Sequence, residues 1–164
     1  VLVAHPDDCL IFAHKFIRTN RNWLWDIVYL TYDINTPRGQ EVYRYWRRVQ
    51  GVKTYFLNFP DNLQDLENNK ASFTPKQIKD KLSKILDLSS YKFILTHNKK
   101  GEYGHPHHRL INEAVSLFNC KKIYFSLNKK HTMYPLNIAM EELPRHQQSI
   151  LIHAKDNVAY YREE

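Results

Sequence analysis

The chain opens with Val1-Leu2-Val3-Ala4-His5-Pro6-Asp7-Asp8, and about a hundred residues later Lys92-Phe93-Ile94-Leu95-Thr96 leads towards Gly101-Glu102-Tyr103-Gly104-His105-Pro106-His107-His108. Each stretch begins with an apolar run typical of a buried β-strand and is followed by residues with helical periodicity. The histidines and aspartates therefore fall where a strand gives way to a helix. Open α/β sheets place their chemistry at this edge, beyond the carboxyl ends of the strands.

Strand and helix patterns alternate along the rest of the chain. We predict strands at residues 1–4, 26–31, 52–57, 91–96 and 121–126, and helices at 9–19, 37–50, 75–86, 106–118 and within 140–152. Thr36-Pro37 and Thr74-Pro75 mark two helix starts, Gly51 ends the first of these helices, and residues 58–73 form a long polar loop. This order predicts an α/β, Rossmann-like fold: a mostly parallel sheet with helices on both faces and the active site at its C-terminal edge.

The composition is that of one globular domain, which we expect to span residues 1–164. Hydrophobic residues make up 43% of the chain, but no apolar run approaches the ~20 residues of a membrane span. The two cysteines, Cys9 and Cys120, form no C-x-x-C motif, which favours a reducing compartment and a cytoplasmic location. Because Val1 already lies in a predicted strand and is not methionine, we expect native residues to precede it.

The net charge of +7 raises the alternative of a basic nucleic-acid-binding domain whose metal motif is vestigial. That alternative requires salt-dependent binding to DNA or RNA and no zinc. The basic residues are scattered, however, and no RRM, KH or helix-turn-helix signature is present, so we expect no nucleic-acid partner. A nucleotide-binding Rossmann domain is excluded because the first strand is not followed by Gly-x-Gly-x-x-Gly.

The two histidine-containing stretches together predict a hydrolytic metal site. A catalytic zinc ion typically has three protein ligands and one open position for water. His5 and Asp8 are close enough across their turn to share one ion, and the second turn can supply a third ligand. A helix starting near Pro106 would turn His105 and His108 towards the crevice and His107 away from it, which gives one ligand and one catalytic helper. Alone, the first motif could be an Asp helix cap and the second a surface loop.

These motifs resemble those of the PIG-L/LmbE-like zinc deacetylases, which remove acetyl groups from N-acetylglucosamine-type sugars and related amides. The resemblance runs in order through a strand ending in Ala-His-Pro-Asp-Asp, Arg-x-x-Glu on a helix before Gly-Val, a Pro-Asp turn, Thr-His-Asn, and Gly-Glu-Tyr-Gly-His-Pro with a final histidine. In this chain those motifs are Ala4 to Asp8, Arg38 with Glu41 before Gly51-Val52, Phe59-Pro60-Asp61, Thr96 to Asn98, and Gly101 to His108.

The resemblance implies His5, Asp8 and His108 as ligands of Zn²⁺ or another divalent transition metal. It also implies Asp7 as the general base. Polarisation of the substrate or proton transfer would fall to His105 and Tyr103. The implied substrate is a small N-acetylated sugar conjugate. The chain departs from the family pattern at Cys9 and His107, where Glu and Asp or Gln are common, and either residue could offer the metal another ligand.

Three further residues, Arg38, Asp61 and His97, are candidates for substrate binding at the same crevice. Each has an alternative: Arg38 could pair with Glu41 on its own helix, and Asp61 could cap a turn. His97 could support a ligand from behind the site or fill a buried structural position. An amidase of the same fold acting on another amide, such as a thiol conjugate, is the nearest alternative function.

Overall fold

The computed structural model describes residues 1–126, 132–133 and 160–163. Its strands are β1 (Leu2–Val3), β2 (Trp25–Thr31), β3 (Val52–Phe59), β4 (Ile94–Thr96), β5 (Lys122–Ser126), β6 (Thr132–Met133) and β7 (Tyr160–Glu163). Its α-helices are α1 (His14–Thr19), α2 (Pro37–Trp46), α3 (Leu63–Glu67), α4 (Pro75–Leu82), α5 (Gly101–Gly104) and α6 (Pro106–Ser116). A π-helical segment, Cys9–Ala13, leads into α1, and a 3₁₀ turn, Leu88–Ser90, precedes β4.

The strands form one sheet in the order β3-β2-β1-β4-β5-β7-β6. The first five strands along the chain pair in parallel, and β7 and β6 add antiparallel pairs beyond β5. The chain builds outward from β1 in one direction through β2 and β3, then returns to place β4 on the other side of β1. The boundary between β1 and β4 is therefore a topological switch point, where a crevice opens at the carboxyl ends of the strands.

Apolar side chains cover both faces of the sheet, which confirms the predicted fold class. On one face the strands pack against the π-helical segment, α1 and α2, with Phe12, Ile17 and Trp46 in the core. On the other face they pack against α4 and α6, with Ile78 and Ile111 in the core. Parallel strands buried on both faces need helices on both faces, because neither surface can be left to water.

The helix starts agree with the prediction, but three helix ends come earlier. Thr36 and Thr74 cap α2 and α4 through their side chains, and Pro37 and Pro75 occupy the first turn. The predicted ends at residues 50, 86 and 118 become Trp46, Leu82 and Ser116. In each case the chain continues through tighter turns whose N–H groups bond three residues back, as in Val49 to Trp46, Ile85 to Leu82 and Phe118 to Val115. Apolar spacing does not distinguish such turns from another helical turn.

Other differences lie in the segments between the helices. The predicted polar loop at residues 58–73 contains the end of β3 and the short helix α3. The predicted helix at 9–19 begins as a π-helix, and β4 is shorter than expected. The predicted helix within residues 140–152 lies outside the described residues. In the part of the chain that the structure describes, no helix has the length and apolar character of a membrane span.

Candidate functional site

The two histidine-containing turns meet at the switch point. The first turn follows β1 and the second follows β4, and these strands pair side by side, with Leu2 opposite Thr96. The link between the turns is direct, because the Ala4 N–H donates to His97 Nε2 at 3.1 Å. The sheet thus brings together residues about a hundred positions apart, as the sequence predicts.

The first turn folds its own aspartate back over its histidine. The His5 N–H donates to Asp8 Oδ2 at 2.8 Å, and the same oxygen lies 3.1 Å from His5 Nδ1. Burial by itself raises the pKa of Asp8, but the neighbouring His108 and His5 bring it well below its usual value. Asp8 is therefore a buried carboxylate whose Oδ2 faces a ring nitrogen of each histidine. The π-helical segment begins at the next residue, and such widened turns often mark functional sites.

The second turn is organised by Glu102, a buried carboxylate to which the sequence analysis gave no role. Its Oε2 lies 2.8 Å from His97 Nδ1 and 2.7 Å from His108 Nδ1, and its Oε1 accepts the Asn98 N–H at 2.9 Å. Glu102 has a φ of 55°, a left-handed conformation that is uncommon for a residue with a side chain. Gly101 has a φ of 65°, and a Cβ there would lie 2.9 Å from Arg109 Cγ. The signal in the sequence that could have identified Glu102 is its position as a single acidic residue between His97 and His105.

The contacts of Glu102 decide which nitrogen of His108 is available to a metal. An ionised carboxylate can only accept, so His108 Nδ1 carries the proton, and in the neutral ring, the form that binds metals, Nε2 carries a lone pair. That Nε2 is buried without a hydrogen-bond partner and lies 3.2 Å from Asp8 Oδ2. A lone pair facing a carboxylate oxygen in a buried site is unfavourable unless a cation lies between them. The donor set therefore fits a divalent metal, with Glu102 fixing the ring as in other carboxylate–histidine–metal arrangements.

Four overlapping groups of side chains in the described residues bring possible ligand atoms within 4.8 Å of one another. They are His5/His105/His108, Asp8/His97/His108, His5/Asp61/His107 and His5/Asp7/Asp8. Each of the three residues predicted as ligands, His5, Asp8 and His108, occurs in at least two of them. His97 is a poor ligand candidate because its Nε2 already accepts the Ala4 N–H.

Comparison with known proteins identifies the family of the chain. The model of the PIG-L family, described as GlcNAc-PI de-N-acetylase, matches residues 1–118. The chain belongs to the PIG-L family. Its members are generally deacetylases or related hydrolases and are typically metal-dependent. A similar protein is the uncharacterized protein L374 of Acanthamoeba polyphaga mimivirus, which is 28% identical over 157 residues, or 91% of this chain and 70% of the viral protein.

Asp7, the family's expected base, is held at the edge of the site by Arg38. Arg38 Nη2 donates to Asp7 Oδ1 at 2.9 Å, and Nη1 donates to the Tyr32 hydroxyl at 2.7 Å. The guanidinium also lies over the Tyr32 ring, 4.7 Å from its centroid. Burial and the charge of Asp8 raise the pKa of Asp7, while Arg38 opposes that rise. Arg38 therefore reaches across to the first turn and orients the Asp7 carboxylate.

His105 is fixed as a neutral hydrogen-bond donor. The His107 N–H donates to His105 Nδ1 at 3.2 Å, so Nδ1 is the acceptor and Nε2 carries the proton. Burial lowers the pKa of His105 to about 3, and the nearby His108 and His5 act in the same direction. The ring lies beside both of these histidines, 4.7 and 4.6 Å from their centroids. A neutral N–H donor at this place suits stabilisation of a developing oxyanion.

The prediction that His107 faces away from the crevice is wrong. Its Nδ1 lies 3.2 Å from His5 Nε2, and its Nε2 lies 2.9 Å from Asp65 Oδ2. The prediction used helical spacing alone, whereas α6 is covered on more than one side and the segment containing α3 packs over its first turn. Asp65 lies on α3, which the sequence analysis treated as loop, so this partner was missed.

Asp61 lies against the same pair of histidines. Its Oδ1 is 3.4 Å from His5 Nε2 and 3.6 Å from His107 Nδ1. The interaction with His5 holds the pKa of Asp61 well below its usual value, against the opposing effect of burial. The structure thus places Asp61 at the rim of the site, beside His5.

The remaining candidates lie either at the exposed rim of the site or buried behind it. Tyr103 is 65% exposed, with its ring 5.3 Å from that of His108 and edge-on to it. His97 is fully buried between Ala4 and Glu102, a position that supports the two turns and does not favour contact with a substrate. Cys9 belongs to the apolar core, where burial raises the pKa of its thiol to about 12, and it is in none of the candidate metal-binding groups of the described residues.

Proposed function

We propose that this protein is a metal-dependent deacetylase that hydrolyses the N-acetyl group of an N-acetylglucosamine-type sugar conjugate, releasing acetate and a free amine. The observation that carries the proposal is the unpartnered Nε2 of His108, buried and 3.2 Å from Asp8 Oδ2. We propose His5, Asp8 and His108 as the residues that would hold the ion, and zinc as the ion. Membership of the PIG-L family supports the reaction class.

A bound divalent ion would supply Lewis acidity at this position, which favours ionisation of water and stabilises negative charge on an amide oxygen. The general base is Asp7, because its carboxylate adjoins the ligand Asp8 without belonging to the buried contact with His108. A raised pKa suits a carboxylate that must accept a proton from water and later return it. Arg38 keeps the Asp7 side chain in one orientation through its 2.9 Å contact.

His105 Nε2–H is placed to donate to the amide oxygen as negative charge develops on it. Asp7 then returns its proton to the leaving nitrogen, so that the amine departs neutral. Tyr103 stands at the open rim, where its hydroxyl can add a second donor. Asp61 and Arg38 bound the same opening and offer a carboxylate and a guanidinium to the hydroxyl groups of a sugar.

The proposal is tested by metal analysis followed by an activity assay. The purified protein is stripped with a chelator, reloaded with zinc, and analysed for bound metal. Acetate release is then measured on a panel of N-acetylglucosaminyl compounds, with amides of thiol conjugates in parallel. We expect about one zinc ion per chain and zinc-dependent release of acetate from at least one sugar compound.

Three results would count against this function. Absence of bound metal at saturating zinc would refute the metal centre. Metal binding with cleavage of the thiol conjugates alone would favour the related amidase. Equal activity in Asp7→Asn would show that the observed hydrolysis does not come from this site.

A further inference from the structure

We propose that Asp65 and His107 are positioning residues that fix the tautomer of His5, so that His5 presents Nδ1 to the metal. The inference rests on the proposed function, since it concerns the ligand set of the same site. It assigns a role to His107, which is adjacent to the proposed ligand His108 but is not itself proposed as a ligand. It also assigns a role to Asp65, which lies on α3.

The chain of hydrogen bonds begins at Asp65, whose carboxylate can act only as an acceptor. Its side chain is 5% exposed, and its Oδ2 accepts the Ser72 N–H at 3.1 Å and the Ser72 hydroxyl at 3.2 Å. A buried carboxylate held by two donors remains an acceptor. The third group on this oxygen, His107 Nε2 at 2.9 Å, must therefore be a donor.

The proton on His107 Nε2 decides the state of the next nitrogen along the chain. Because Nε2 donates to Asp65, the neutral ring of His107 has its lone pair on Nδ1. His107 Nδ1 lies 3.2 Å from His5 Nε2. Two lone pairs at this distance would repel, so His5 Nε2 carries the proton and donates it to His107.

The same step leaves the lone pair of His5 on Nδ1. That nitrogen lies 3.1 Å from Asp8 Oδ2, the oxygen that also lies 3.2 Å from the lone pair of His108. Three electron-pair donors thus converge on one place. Glu102 fixes the ring of His108 directly, and Asp65 fixes the ring of His5 through His107. Partners of this kind typically contribute about 10- to 100-fold to metal affinity.

His107 is also close enough to Asp61 and His5 to be a metal ligand itself, which gives the rival explanation of the same contacts. In that case His107 Nδ1, His5 Nε2 and Asp61 Oδ1 would hold a second ion. The two explanations differ in stoichiometry: positioning by His107 requires one ion per chain, whereas ligation by His107 requires two.

The experiment measures zinc affinity, by competition with a chromophoric chelator, and stoichiometry at saturation for the whole chain. The variants are Asp65→Asn and His107→Gln, with Asp80→Asn as the matched control because Asp80 is an exposed carboxylate paired with Lys76. The ring nitrogens of His5 are followed by NMR in zinc-loaded protein. Circular dichroism of the metal-free proteins checks that each variant folds, and either variant alone suffices for the comparison.

We expect one ion in all four proteins, about 10- to 100-fold weaker affinity in both site variants, and unchanged affinity in Asp80→Asn. In wild-type protein the NMR signals of His5 should show the proton on Nε2. Affinity within twofold of wild type in the folded variants overturns the inference while leaving the metal centre intact. A second ion that only His107→Gln loses overturns it in favour of ligation. Failure of wild-type protein to bind any ion removes this inference and the proposed function together.

Discussion

The two turns that build the site orient the histidines that we propose as metal ligands in different ways. In the turn after β4, the orienting carboxylate is local: Glu102 stands six residues before His108 and contacts its Nδ1 at 2.7 Å. In the turn after β1, His5 has no such neighbour on its far side. Its Nε2 faces His107 and Asp61, which come from α6 and from the segment after β3.

The orientation of His108 by the nearby Glu102 has a conformational cost, whereas the orientation of His5 by residues from other elements has no such cost. Glu102 reaches both His97 and His108 only with a φ of 55°, and strained backbone of this kind costs roughly 1–3 kcal/mol. The first turn keeps an ordinary backbone at His5 and depends on the rest of the fold for its orientation. We therefore expect changes in the second turn to act directly on the metal, and the first turn to be sensitive to distant residues.

The largest effect is expected at the ligand of the second turn. His108→Ala removes a buried ligand and should abolish most of the zinc content and, with it, activity. Metal analysis of the purified variant beside wild type measures this. If His108→Ala keeps its zinc while His107→Ala loses it, the assignment of the ligand within the second turn is wrong.

The next effect concerns the division of roles between the acids of the first turn. Asp7→Asn should lower kcat by about 10²- to 10⁴-fold with zinc still bound, because general-base catalysis is lost and no ligand is removed. Steady-state kinetics and metal analysis on one preparation check both parts. Loss of zinc in Asp7→Asn together with its retention in Asp8→Asn would show that the two acids have the opposite roles.

Glu102→Gln tests the local support directly. The amide keeps the shape of the side chain but cannot accept protons from both His97 and His108 through one charged oxygen. We expect zinc affinity to fall by about 10- to 100-fold. Glu67→Gln, at an exposed position on α3, is the control. Equal zinc affinity in the two variants would mean that the strained turn serves the fold and not the metal.

A smaller effect is expected at the rim of the second turn. If the Tyr103 hydroxyl donates to the oxyanion, Tyr103→Phe should lower kcat and kcat/KM together by roughly tenfold, the value of one partly solvated hydrogen bond. Zinc content and KM should change little. Full activity in Tyr103→Phe with weaker substrate binding in Tyr103→Ala would instead leave the ring a packing role only.

The last comparison concerns stability and lies outside the site. His14 is buried beside Tyr45 and Trp46, and burial, followed by the charge of Arg18, lowers its pKa from 6.5 to about 4. The unfolded chain therefore binds a proton at a higher pH than the folded protein does. This histidine should reduce stability as pH falls from about 6.5 towards 4, by roughly 1–3 kcal/mol.

His14→Gln tests this by chemical denaturation at several pH values. The variant should lose part of the decline that wild type shows below pH ~6.5, and the two proteins should keep a constant difference above it. Parallel stability curves over the whole range would show that burial of His14 does not control its protonation.

Much of the fold could be predicted from sequence because its signals are local. The threonine caps before Pro37 and Pro75 are contacts within a few residues, and the buried parallel strands appear as short apolar runs. The joint position of the two turns also follows, since parallel strands place their carboxyl ends at one edge. The helix ends were less predictable because a tightened last turn has nearly the same apolar spacing as a helical one.

By itself, the sequence determined the architecture and the meeting of the two histidine-containing turns at the switch point. Only the tertiary structure decided how those groups are paired. It turned His107 inward because α3 supplies Asp65 as its partner, directed Arg38 to Asp7, and bent the backbone at Glu102 so that one carboxylate serves two rings. The physical reason is that a shift of a few tenths of an ångström is enough to make or break a hydrogen bond. The packing of distant segments against one another sets the positions of the donors and acceptors.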